Sequence, residues 1–130
     1  MNTRPQWFVM GSIYQIDRRN YPRYRIDTYV EITTPEFFIT VNTIEISLEG
    51  IRVEAYTEIK PGTKVTNSFE SAKKLLLHGL VVWVFVMQKK NVTKYLVGIQ
   101  IKEMVFSGVT VNGLNKKEKL IQSVLAEIKK

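Results

Sequence analysis

Apolar and polar residues alternate along several short segments of this chain, and the alternation limits the folds that the chain can form. From Arg25 onward, Ile26, Val30 and Ile32 would face one side of a strand, with Asp27, Tyr29 and Glu31 on the other. Further strands are predicted at 37–46, 51–56, 64–69, 75–87 and 95–102, with turns at 33–36, 47–50 and 60–63 and a hairpin loop at 88–94. Gly79 indicates a bulge or a close approach within the long fifth strand. Many short strands separated by turns predict an all-β barrel or sandwich.

The C-terminal segment changes to a helical period. Asn115 with Glu118 three residues later is typical of a capping box. Apolar residues then follow at helical spacing: Ile121, Val124, Leu125 and Ile128. We expect an amphipathic helix at 116–129 whose apolar stripe closes the barrel or forms a dimer interface.

The 130 residues suggest one domain, which we place at 18–130 after an N-terminal extension at 1–17. The chain has no cysteine, which excludes disulfides and thiolate metal sites. Its longest apolar stretch, 75–87, is interrupted by His78 and Gly79, and a spanning helix needs about 20 apolar residues. We therefore expect no membrane span and a cytoplasmic location.

Catalytic and metal-binding patterns are missing from the sequence. His78 is the single histidine and lies in the most apolar strand, where a structural role is expected. No cluster of metal ligands, phosphate loop or nucleophile elbow is present in the sequence. We expect a protein that is not an enzyme and needs neither a metal nor a cofactor.

The formal net charge of +7 favours an anionic partner. Four of the six arginines, Arg18, Arg19, Arg23 and Arg25, fall within eight residues, whereas the lysines are scattered. Clustered guanidinium groups are typical of phosphate binding, because they form paired hydrogen bonds and stack on aromatic rings.

Arg19 and Arg23 form an RxxxR motif on a segment that Pro22 keeps extended. The two arginines would lie at most about 13 Å apart, so that they could hold one compact dianion from two sides. Alone, this motif is a weak signal.

A second motif runs from Glu45 through Ser47 to Gly50, at a predicted strand end. Glu45 could accept hydrogen bonds from guanine, and the Ser47 hydroxyl could serve a base edge or a phosphate. Gly50 would permit a close backbone approach or a positive φ. In isolation, an ordinary polar β-turn remains the alternative.

Together, the two motifs resemble those of the PilZ domain family. Gly79–Val84 is similar to the family's late G-x-V-x-W strand, and Gly98–Ile101 to its final strand, so that the resemblance covers about residues 18–129. It implies a six-stranded antiparallel split β-barrel with a C-terminal α-helix, and a bacterial receptor for the second messenger cyclic di-GMP, bound as one molecule or a stacked pair. The residues implied in nucleotide binding are Arg18, Arg19, Arg23, Glu45, Ser47 and Gly50, with Arg25 and Trp83 as secondary candidates.

Two positions qualify this resemblance. The family has Asp or Asn where this chain has Glu45, and the extra methylene moves the acceptor outward by about 1.5 Å. Strand alternation favours a core role for Trp83 over a stacking surface for the ligand.

The resemblance implies signalling through a protein effector in motility, exopolysaccharide or pilus control. Self-association through the N-terminal extension or the C-terminal helix is a further hypothesis. Two alternatives are a PilZ-like interaction module that does not bind nucleotide, and a small nucleic-acid-binding barrel with exposed Tyr21 and Tyr24.

Overall fold

The computed structural model describes residues 21–69 and 72–128. Within them are seven strands and one helix. They are β1 (Tyr24–Thr33), β2 (Phe38–Ile46), β3 (Gly50–Ala55), β4 (Lys64–Phe69), β5 (Ala72–Lys89), β6 (Val92–Phe106), β7 (Val109–Thr110) and α1 (Leu114–Ile128). The predicted strand at 64–69 is confirmed at both ends. The predicted N-terminal extension at 1–17 lies outside the described residues.

The first six strands form one antiparallel sheet in the order β3-β2-β1-β4-β5-β6. Pairing of β3 with β6, from Gly50 opposite Gln100 to Ala55 opposite Tyr95, closes this sheet on itself. The two-residue β7 pairs only with the end of β6. The expected six-stranded antiparallel barrel with a C-terminal helix is confirmed.

The barrel interior is filled by the apolar positions that alternate along each strand. Val30 and Ile32 of β1 are fully buried, as are Leu75 and Leu77 of β5. The helix adds Ile121, Val124 and Leu125 to the same core cluster. Its apolar stripe therefore packs on the barrel, and those three side chains are not free to form a dimer interface.

The helix begins at Leu114, before the predicted start, and its described part ends at Ile128. The expected capping box is wrong, because Asn115 lies inside the helix and Gly113, with a φ of 92°, precedes its first residue. The Glu118 carboxylate instead accepts a hydrogen bond from the hydroxyl of Tyr24. The Glu118 side chain thus makes a tertiary contact with β1 and not the local capping contact that the motif predicts.

The hairpin between β5 and β6 also differs from the prediction. The expected loop at 88–94 is a turn centred on Lys90 and Asn91, whose φ angles are 49° and 68°. Positive φ at both central residues is the geometry of a type I′ turn, which matches the twist of the flanking strands. The strands therefore continue to Lys89 and from Val92, so that both are longer than the sequence indicates.

Gly79 lies where the register of β5 and β6 shifts, and a Cβ at this position would come within 2.5 Å of the Gln100 carbonyl oxygen. The predicted bulge and close approach are both present. The neighbouring His78 has its Nδ1 at 2.9 Å from the Thr66 hydroxyl of β4, a cross-strand contact that accounts for the histidine structurally.

Within residues 21–69 and 72–128, no helix combines the length and the apolar character that crossing a membrane requires.

Candidate functional site

Ser47 and Gly50 build the tight turn between β2 and β3. The Ser47 hydroxyl oxygen accepts hydrogen bonds from the backbone N–H groups of Glu49, at 3.1 Å, and Gly50, at 3.3 Å. The Ser47 N–H donates to the Gly50 carbonyl at 2.9 Å. Ser47 is buried, and these hydrogen bonds stabilise the turn through the lone pairs of its hydroxyl oxygen. The O–H proton is still able to donate to another group.

Gly50 brings β3 close to β6. A Cβ on this residue would lie 2.7 Å from the carbonyl oxygen of Ile99, so that any side chain would push the two strands apart. Of the two reasons predicted for a glycine here, close approach is therefore the one that the structure contains.

Glu45 lies between two arginines. Its Oε1 is 3.1 Å from Nη1 of Arg23, and its Oε2 is 3.7 Å from Nη2 of Arg52. Each carboxylate oxygen thus faces a different guanidinium. The extra methylene of Glu45 carries the carboxylate into a cationic environment that this chain itself supplies.

Trp83 is directed outward, and the expected core role is wrong because 42% of the residue is exposed. The register of β5 and β6 shifts between Val81 and Trp83, leaving Val82 as an extra residue. A bulge of this kind reverses the alternation, so that the residue two positions after the buried Val81 faces the other way.

These side chains meet at one cleft of about 340 Å³, within the size range of small-molecule sites. It is lined by the segment before β1, by the β2–β3 turn, and by the adjoining parts of β3, β5 and β6. The lining residues are Arg23, Glu45, Ser47, Glu49, Gly50, Ile51, Arg52, Val82, Trp83, Gly98, Ile99 and Gln100. The structure therefore brings Arg23, Glu45, Ser47, Gly50 and Trp83 together.

Arg25 is not part of this group. It lines a different surface depression, together with Asp27, Asn42 and Glu54. It is registered opposite Glu45 in the β1–β2 pair, but its side chain does not line the cleft. Arg18 and Arg19 lie outside the described residues.

Arg52 is a cleft residue that the sequence reading missed. It lies directly opposite Glu45 in the β2–β3 ladder, where Ile46 pairs with Ile51. A signal was present, because a turn at 47–50 places residue 45 opposite residue 52 in the resulting hairpin, and acid facing arginine is a favourable cross-strand pair.

The cleft thus belongs to a small closed β-barrel and combines two arginines, two carboxylates, a polar turn and an indole. Among the described residues, no group of three or more His, Asp or Glu side chains could hold a metal ion. Guanidinium and indole groups both offer flat surfaces for stacking, so the chemistry of the cleft suits a small polar molecule with flat rings.

The chain belongs to the PilZ domain family, whose sequence profile matches residues 17–108. The match contains both motifs and ends before the helix. Among curated protein sequences, none matches the chain.

Solved structures share this fold at low sequence identity. The inhibitor of motility MotI/DgrA of Bacillus subtilis superposes with a TM-score of 0.60 at 19% identity, covering 85% of this chain and 51% of its own. The K. pneumonia MrkH–c-di-GMP complex gives 0.59 at 16% identity, covering 88% and 57%. The PilZ domain of YcgR from Escherichia coli, solved with c-di-GMP, gives 0.59 at 12% identity, covering 87% and 92%. The chain spans little more than half of the first two proteins.

Proposed function

We propose that this protein is a cyclic di-GMP receptor that signals through a protein partner. The observation that carries the proposal is the convergence of both family motifs on one cleft: Arg23 from the first, and Glu45, Ser47 and Gly50 from the second. Two solved structures with the same fold, those of MrkH and the YcgR PilZ domain, contain c-di-GMP.

The chemistry of the cleft suits this ligand. Arg23 is the group that would bind a phosphate or stack on guanine, and the Glu45 carboxylate would accept hydrogen bonds from the guanine N–H groups. Trp83 would provide an aromatic surface beside them. The described lining contains two arginines and two glutamates, so that a dianionic ligand needs further positive charge, which Arg18 and Arg19 would supply.

Binding would transfer Arg23 from Glu45 to the ligand and order the segment before β1 against the barrel. A ligand can shift a conformational equilibrium only by binding one state more tightly, and this exchange of partners provides such a difference. The altered surface would be recognised by an effector; motility, exopolysaccharide and pilus control are the processes that we propose at the level of the family. A cytoplasmic location, self-association and the lack of enzymatic activity remain predictions.

A second candidate is an interaction module that does not bind nucleotide. The observation in its favour is that Glu45 and Arg23 form an ion pair and so neutralise each other. The third hypothesis, a nucleic-acid-binding barrel, loses one of its two aromatics, because the Tyr24 hydroxyl is held by Glu118 and Gln122 of the helix.

Isothermal titration calorimetry with cyclic di-GMP tests the proposal. Arg23→Ala should weaken binding at least about tenfold because it removes a charge-assisted contact. Lys102→Ala is the control, since it removes one positive charge at an exposed position of β6 outside the cleft, and it should bind like the wild type. Absence of saturable binding by the wild type would refute the receptor proposal, and binding gained by Glu45→Asp would then favour the interaction module. Competition by single-stranded DNA would favour the nucleic-acid hypothesis.

A further inference from the structure

Four residues in mutual register form the floor of the cleft across four strands, and the row continues to Arg25, which lies opposite Glu45 on β1. Glu45 on β2 pairs with Arg52 on β3, Arg52 pairs with Gly98 on β6, and Gly98 pairs with Trp83 on β5. Three strand spacings give this row a length of about 14 Å along the curved sheet. The row thus presents an acid, a guanidinium, a gap without a side chain and an indole, in that order.

The two arginines that form ion pairs with Glu45 differ in the backbone that carries them. Arg52 lies within β3, which has a hydrogen-bonded neighbour on each side, β2 and β6. Arg23 precedes β1 and belongs to no strand. A guanidinium on a strand that is paired on both sides keeps its position, whereas one on an irregular segment can move to a ligand. Of the two arginines that form ion pairs with Glu45, Arg52 is therefore the permanent partner and Arg23 the exchangeable one.

Arg52 also lies deeper than Arg23. Its side chain is 33% exposed, against 42% for Arg23, and its Nε is buried without a hydrogen-bond partner among the described residues. The distance of 3.7 Å to Glu45 is an ion pair longer than a hydrogen bond, so that the pair has room to tighten. A partly buried arginine in this position is better placed to hold the Glu45 carboxylate than to bind a phosphate.

We propose that Arg52 is a positioning residue that sets base specificity, by holding Glu45 toward the Watson–Crick edge of guanine. This inference rests on the proposed cyclic di-GMP site and deepens it. The carboxylate has two acceptor oxygens, and guanine offers two adjacent donors, the ring N1–H and the 2-amino group. When Arg23 leaves for the ligand, Arg52 is the cation that keeps the longer side chain of Glu45 in place.

The loss of Arg52 should therefore weaken recognition of the base. Without it, Glu45 would remain paired with Arg23, so that the acceptor for guanine and the cation for the phosphate would both be withheld. A site built to hydrogen-bond a donor discriminates strongly against analogues that lack it, and a misplaced acceptor loses that discrimination. We expect Arg52→Gln to lower cyclic di-GMP affinity about 10- to 100-fold.

The test compares two ligands on the full chain by calorimetry. Cyclic di-IMP keeps the ring N1–H of each base but lacks the 2-amino group, so that it reports the contact with the second carboxylate oxygen. A positioning role predicts that Arg52→Gln costs several-fold less affinity for cyclic di-IMP than for cyclic di-GMP, and that Arg52→Lys restores part of the preference. Lys102→Gln, which removes one positive charge at an exposed position of β6 outside the cleft, should leave both affinities unchanged.

The possible outcomes distinguish the positioning role of Arg52 from the receptor function on which it rests. An equal loss for both ligands would mean that Arg52 acts on the phosphates, and no loss would mean that it acts on neither; each result overturns the positioning role while the receptor proposal stands. A wild-type chain that binds no cyclic di-GMP overturns the receptor proposal and this inference with it. If Arg52→Gln fails to fold, Arg52→Lys alone must lower the ratio of the two affinities, and an unchanged ratio overturns the inference.

Discussion

The indole of Trp83 lies directly against the backbone of Gly98. A Cβ built on residue 98 would come within 2.1 Å of Trp83 Cε2 and 2.3 Å of its Nε1. The indole occupies the space that a side chain at position 98 would fill. This contact fixes the partly exposed Trp83 as one wall of the cleft. Glycine is required at position 98 for this close approach and not for a special backbone angle.

Replacing Gly98 by alanine should displace the indole. Overfilling a packed site costs about 1–3 kcal/mol, so we expect a corresponding loss in the free energy of unfolding measured in urea. We also expect tryptophan emission to shift to longer wavelength, in a Trp7→Phe background that leaves Trp83 as the only tryptophan. Val92→Ala, at the far end of the same hairpin, should leave the emission unchanged. An unshifted spectrum in Gly98→Ala would contradict the packing described.

Ser47→Ala should destabilise the β2–β3 turn. It removes the acceptor of two backbone N–H groups, those of Glu49 and Gly50. The expected loss is about 1–2 kcal/mol in the free energy of unfolding, by analogy with the removal of a helix-capping hydroxyl. Ser47→Thr keeps the acceptor and should retain most of the stability, and Ser123→Ala on the exposed face of α1 is the neutral control. A loss in Ser47→Ala below about 0.5 kcal/mol would show that the turn does not depend on this hydroxyl.

Tyr24 should make stability depend on pH in the alkaline range. The Gln122 amide lowers the pKa of Tyr24 and the Glu118 carboxylate raises it, and the net effect is a rise above the ordinary value. Because the folded state favours the protonated phenol, the contribution of Tyr24 is complete below pH of about 10 and is lost as pH rises through the folded-state pKa. Urea unfolding of wild type and Tyr24→Phe should therefore show a wild-type advantage that shrinks above that pH.

The control for this effect is Tyr29→Phe, on the same strand and 64% exposed, which should follow the wild-type pH profile. A gap between wild type and Tyr24→Phe that stays constant into strong alkali would exclude the proposed linkage.

The turn between β5 and β6 should accept a stabilising double substitution. Lys90 and Asn91 both adopt positive φ, which costs energy for residues with a Cβ, and Asn-Gly is the preferred pair in this turn type. We expect Lys90→Asn/Asn91→Gly to raise the free energy of unfolding by about 0.5–1 kcal/mol, after the entropic cost of glycine is included. Lys89→Asn, one position earlier in β5, should bring no gain. A less stable double variant would argue against the type I′ geometry.

Local chemistry made parts of the fold predictable. The turn at 60–63 contains Pro61 and Gly62, and Gly62 adopts a φ of 91°, so that the start of β4 followed directly. The turn between β5 and β6 lacks both proline and glycine, and although asparagine at position 91 tolerates a positive φ, Lys90 gives no such signal. Its geometry is imposed by the cross-strand pairing of two long strands, which a local reading does not contain.

The candidate site was predictable to the extent that it follows the strand period. Glu45 near the end of β2 is followed directly by the turn that contains Ser47 and leads to Gly50, and the structure places Arg23 beside them. Trp83 was misassigned because one extra residue in β5 reverses its side, and bulges leave little trace in a hydrophobic pattern. Arg52 was missed because it belongs to neither motif. Its relation to the site appears only when the hairpin register places it opposite Glu45.

The pairing of β3 with β6 has a consequence for the time course of folding. β1–β2, β2–β3 and β5–β6 join neighbouring segments, whereas Ile51 meets Ile99 only after much of the chain has been traversed. Closing so long a loop costs more chain entropy than forming a local hairpin. The β3–β6 seam should therefore form late in folding and open early in unfolding. The cleft straddles the seam, with Arg52 on one side and Gly98 on the other. A molecule bound there would bridge the two sides of the seam and so prolong the lifetime of the closed barrel.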